Sequence, residues 1–145
     1  MKHFLRLFII TVLLGHAFNS LGQEDRKSFS GRLYNQELDV YFVIDLHGNG
    51  IMVPGHDIYG PLAGYIGKGN SSFYWLVVDS EIKDGKAIMQ MVNDYGSEDL
   101  TVTLQQLNDS TYRMTQGKGS VIKLPNNGKW MKLPSTVEFK KNQKL

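Results

Sequence analysis

His47, His56 and Asp57 lie close together in the chain, and an imidazole beside a carboxylate is the pairing that general-base and metal chemistry both use. Tyr59 follows them and adds a hydroxyl. A hydrolase built on His56 and Asp57 is therefore one reading of this sequence. What it lacks is a third group: a zinc site needs at least three protein ligands at a recognisable spacing, and the other candidates are scattered carboxylates in a chain without cysteine. No Gly-x-Ser-x-Gly elbow is present to make serine a nucleophile. The run Asp45-Leu46-His47-Gly48-Asn49-Gly50 imitates the start of a calcium loop, but its third position is His47 and its twelfth is His56, where a bidentate glutamate belongs. The glycines between Gly60 and Gly69 do not make a phosphate loop either, since Leu62 takes the first glycine's place and Gly69 the place of the magnesium-binding hydroxyl. No metal, cofactor or catalytic residue is expected, and the chain reads as a non-enzyme.

Aromatic side chains carry a stronger signal. Tyr41, Tyr59, Tyr65, Phe73, Tyr74, Trp75, Tyr112 and Trp130 are spread along the chain, and rings gathered in one place can stack on a sugar or enclose an apolar ligand. Tyr59 and Trp75 are the expected stacking surfaces. Trp75 earns its place because it alternates with Tyr74, Leu76 and Val78, whose aliphatic members would already supply a core face. His56, Asp57 and Tyr65 complete the candidate ligand site.

The elements that must position these residues are strands. From Ser28 onward the apolar residues recur with period two, the spacing that places them on one face of a pleated strand. Leu38 to Leu46 is the clearest case, with Leu38, Val40, Phe42, Ile44 and Leu46 on one face, so Phe42 is expected in the core. Asp84-Gly85 between two apolar runs predicts a tight hairpin, because both central residues of such a turn take positive φ. Further alternating runs, Leu100 to Leu104 among them, bring the total to nine or ten. The expected fold is all-β, an antiparallel meander closed into a small barrel, with a β-sandwich as the alternative; closure removes the two exposed edges. The irregular stretch is 47–72, which holds seven of the 15 glycines, and a binding rim or lid is expected there.

Residues 1–22 have the pattern of an export signal: Lys2 and Arg6, then the apolar run Leu7 to Leu14, then Ser20-Leu21-Gly22 at a cleavage site. A periplasmic or secreted domain over residues 23–145 is expected, not held in a bilayer by a spanning helix. Without the segment the basic and acidic side chains balance, so nucleic acid is not expected as a partner. The balance is uneven along the chain. Residues 23–112 carry 6 basic and 13 acidic side chains, and residues 113–145 carry 8 basic and only Glu138. The expectation is that late strands neutralise earlier ones.

With its signal segment, meander pattern and Asp84-Gly85 hairpin, the stretch 28–140 resembles the lipocalin and avidin-like group of small exported barrels. Gly31-Arg32-Leu33 stands where a lipocalin shows Gly-x-Trp. The resemblance implies ligand binding in the barrel mouth without chemistry. The expected function is a non-enzymatic binding protein for a small amphipathic molecule, lipid or glycan; the alternative partner is an envelope protein bound by an inhibitor or immunity-type module.

Overall fold

The computed structural model describes residues 28–141. The expected export segment, residues 1–22, lies outside the described residues. Ten strands form: β1 (Ser30–Asn35), β2 (Val40–Asp45), β3 (Gly64–Lys68), β4 (Trp75–Lys83), β5 (Lys86–Asn93), β6 (Asp99–Asn108), β7 (Thr111–Gly119), β8 (Lys123–Asn126), β9 (Lys129–Lys132) and β10 (Thr136–Lys141). Eight of them close into an antiparallel barrel in the order β1-β10-β7-β6-β5-β4-β3-β2, and β8 and β9 make a separate hairpin between β7 and β10. The barrel, not the sandwich, is the architecture of this chain. Among the described residues no helix is long and apolar enough to cross a membrane.

Period-two patterning accounts for the interior. Val40, Phe42 and Ile44 of β2 point inward and are buried, as are Ala87, Met89 and Met91 of β5 and Leu100, Val102 and Leu104 of β6. Phe42 meets Phe139 of β10 edge to face, with ring centroids 6.1 Å apart. The barrel centre is a filled core of aliphatic, methionine and aromatic side chains. Asp84 and Gly85 take φ of 54° and 72°, the left-handed pair that the β4–β5 hairpin requires.

Strands alternate in direction, so the ends of β1, β3, β5 and β7 and the starts of β2, β4, β6 and β10 share one end of the barrel. The β8–β9 hairpin covers that end. Ile122, Leu124 and Leu133 enter the same core as the barrel interior. Gln116 of β7 holds both legs of this cap: its Oε1 accepts from the Ile122 amide at 2.8 Å, and its Nε2 donates to the Pro134 carbonyl at 2.8 Å.

Two expectations change here. The irregular stretch is shorter than 47–72, because Gly64–Lys68 is a regular strand paired in register with both β2 and β4. The part before that strand, residues 47–63, folds back over the outer wall as a flap, anchored by the Ile51–Leu62 bridge and by Val53, which is buried. The wall of β4 is also the reverse of the expected one. Trp75 and Val77 face the core, while Tyr74 and Leu76 face outward and are buried by the flap in a second cluster with Tyr41, Val53 and Tyr65. A bulge between Val77 and Asp79 shifts the register, and Val78 within it is half exposed.

Candidate functional site

Three of the five candidate ligand residues, His56, Tyr59 and Tyr65, gather on the outer wall. Arg32, Tyr41 and Tyr65 lie on β1, β2 and β3, Tyr74 immediately precedes β4, and the flap brings His56 and Tyr59 against them. Successive rings meet edge to face, Tyr41 on Tyr65 at 6.2 Å, Tyr65 on Tyr74 at 5.0 Å and Tyr74 on His56 at 5.8 Å, and Tyr59 stacks on the far side of His56 at 5.9 Å. Gly67 makes the first step possible. A Cβ there would lie 2.5 Å from the Tyr41 hydroxyl, so only glycine lets the Tyr41 ring lean across β3. Burial, followed by the neighbouring tyrosines, pushes the Tyr41 hydroxyl up to about 12.

His56 does not pair with Asp57, whose side chain is exposed to solvent. Its Nδ1 faces the Pro54 carbonyl at 2.9 Å and its Nε2 faces the Asp94 carboxylate. Both partners are acceptors, so both ring nitrogens must donate, which describes an imidazolium. Its pKa is raised accordingly, first by the Asp94 hydrogen bond and then by the Pro54 carbonyl, against an opposing contribution from burial. The geometry is that of a latch fixing the flap to the β5–β6 turn. The calcium-like run is a turn as well, with the Gly48 amide donating to Asp45 Oδ1 at 2.8 Å. Among the described residues no three His, Cys, Asp or Glu side chains converge on a common point.

Trp75 is fully buried, and its indole Nε1 donates to the Lys123 carbonyl at 3.0 Å. It therefore offers no stacking surface. It holds β8 against the barrel and so contributes to a site that the sequence reading missed.

That site is a slot of about 180 Å³ at the capped end, lined by Phe73, Asn93, Tyr95, Ser97, Glu98, Lys123 and Trp130. Phe73 forms its floor and is buried. Tyr95 and Trp130 stand edge-on to it at 5.1 and 4.9 Å, and are 73% and 53% exposed. Each wall is braced. Asn93, itself buried, accepts from the Ser97 and Glu98 amides at 2.9 and 3.2 Å and donates to Ser97 Oγ at 3.1 Å, which fixes the turn carrying Tyr95. Trp130 rides on the hairpin that Trp75 and Gln116 anchor. Lys123 and Glu98 pair across the slot at 3.3 Å, an instance of the late basic segment meeting earlier acids. An available clue was an aromatic residue in each of two polar turns, but nothing local says that residues 95 and 130 meet.

Scans of protein-family models, of curated proteins and of solved structures each found no match to this chain.

Proposed function

We propose that this chain is an exported, non-enzymatic binding protein that holds a glycan or small amphipathic ligand in the slot between Tyr95 and Trp130. The observation that carries this reading is the exposure of two aromatic rings on independently braced walls over a buried aromatic floor. Water contact on such surfaces is unfavourable, and a sugar's C–H face or an apolar chain would relieve it, while Ser97, Glu98 and Lys123 supply hydrogen bonds at the rim. The bound position is the rim of the capped mouth, because side chains fill the barrel interior. Export rests on the pattern of residues 1–22.

The test is titration of neutral and acidic oligosaccharides and of single-chain lipids, followed by tryptophan fluorescence. Trp130 is the exposed reporter and Trp75 the buried one. A bound ligand should shift the emission, and Tyr95→Ala and Trp130→Ala should each weaken binding by about 1 kcal/mol, the stacking contribution of one ring. A full series of ligands that leaves the emission unchanged would remove the reading.

A second reading, docking of an envelope protein, has one observation behind it: the flap exposes Met52, Ile58 and Tyr59, with Ile58 at 92%. Ile58→Asp would then abolish capture of such a partner while leaving the slot unaffected.

A further inference from the structure

We propose that the groove around Arg32 is a second subsite for the same ligand, built to receive a carboxylate, so that the ligand is an acidic oligosaccharide with uronate units. The proposal rests on the slot reading for its glycan, and adds the charge. The groove measures about 360 Å³ and is lined by Arg32, Tyr34, Asp39, Tyr41, Gly69 and Asn70. Arg32 lies over the Tyr41 ring with its guanidinium carbon 4.1 Å from the ring centre. One face of the guanidinium is thereby covered and its orientation fixed, which leaves the planar edge of N–H donors for a ligand.

No anion among the described residues occupies that edge. Among the described residues Arg32 has no carboxylate within ion-pair distance, although Asp39 lines the same groove. Asp39 is turned to another partner, accepting from the Tyr34 hydroxyl at 2.7 Å. A fixed guanidinium with no ion-pair partner among the described residues is suited to a bidentate carboxylate, and the Asp39 and Asn70 side chains beside it provide an acceptor and a donor for sugar hydroxyls.

A single loop joins the groove to the slot. Asn70 lines the first and Phe73 the second. Three residues of chain span no more than about 11 Å, so an oligosaccharide of a few units reaches from one to the other. The loop between them is exposed and polar at Asn70 and Ser72, and is held in shape by the Ser71 amide on the Lys68 carbonyl at 3.1 Å and the Phe73 amide on Ser71 Oγ at 3.2 Å.

The experiment is calorimetric titration of the whole protein with a tetrameric oligogalacturonate and with its fully methyl-esterified form, in which each carboxylate is a neutral ester on the same sugar backbone. The comparison uses wild type, Arg32→Gln, Arg32→Lys and Trp130→Ala, each first confirmed as folded by its unfolding midpoint. Wild type should prefer the acid by about tenfold or more, the scale of one charge-assisted bidentate contact. Arg32→Gln should erase that preference without weakening the ester, Arg32→Lys should restore part of it, and Trp130→Ala should weaken acid and ester alike. Equal affinity of wild type for acid and ester, or an equal loss of both in Arg32→Gln, overturns the Arg32 subsite and leaves the slot reading standing. A preserved, Arg32-dependent preference with no effect of Trp130→Ala overturns the slot reading and the shared ligand, and leaves a carboxylate site alone. Absence of binding by either tetramer overturns the proposal.

Discussion

The indole of Trp75 donates to the carbonyl of Lys123 across 3.0 Å, a bond between residues 48 positions apart in the chain that joins the barrel wall to the hairpin covering its end. Replacing Trp75 by phenylalanine keeps an aromatic ring in the core and removes this donor, leaving a carbonyl without its partner. The expected loss is about 1 to 3 kcal/mol, from the missing hydrogen bond and the smaller ring. Amide exchange checks it: the Leu133 amide, bonded to the Ile122 carbonyl at 2.9 Å, should lose protection before the amides of β5 and β6 do.

Phe42→Ala should cost on the order of 3 to 5 kcal/mol, because the ring is fully buried and its removal leaves a cavity against Phe139. Chemical denaturation measures this directly. An unfolding midpoint equal to that of the wild type would contradict the placement of this ring.

The His56–Asp94 latch makes stability depend on pH in a defined direction. The folded pKa of His56 is raised above its ordinary value of 6.5, so the stabilisation is fully present below pH 6.5 and is lost as pH rises through the raised folded value. Asp94→Asn should flatten that dependence. Unfolding midpoints measured from pH 5 upward for both proteins should converge at the alkaline end, and parallel curves would count against the latch.

Gly67→Ala places a methyl group against the Tyr41 hydroxyl and forces that ring off β3. Overpacking of this kind costs about 1 to 3 kcal/mol. The displaced Tyr41 would also lose its fit beneath Arg32, so the variant should weaken the acid preference of Arg32 in the titration described above. Tyr41→Leu in the same background removes both the hydroxyl and the ring carbon that clash, 2.5 and 2.6 Å from that methyl, and should recover part of the stability.

Phe42 and the Asp84-Gly85 turn were legible in the sequence because each rests on a local rule: strict alternation over one strand, and two consecutive residues that must take positive φ. Trp75 was not. The flap covers the outside of β4, so Tyr74 and Leu76 are buried on one face as Trp75 and Val77 are on the other, and alternation then has no polar side to mark which way is out. The bulge at Val78 breaks the pattern again. His56 was read beside the adjacent Asp57, but its carboxylate partner is Asp94, far along the chain. The slot was hidden for the same reason. Tyr95 sits in a turn full of carboxylates and Trp130 on a hairpin 35 residues later, and only the docking of that hairpin on the barrel brings both to Phe73.

Among the described residues β1 and β10 meet with Leu33 opposite Lys141 and Tyr34 opposite Lys140. These partners lie at opposite extremes of the described chain, so this pairing carries the largest loop-closure entropy of any in the molecule. During folding it is expected to form late, after the locally connected hairpins and after β8 and β9, which come before β10 in the chain. Until then β1 and β10 are both open edges whose backbone groups can pair with another molecule. Ring closure is thus the step that removes both adhesive edges, and β10 guards the barrel against edge-to-edge association.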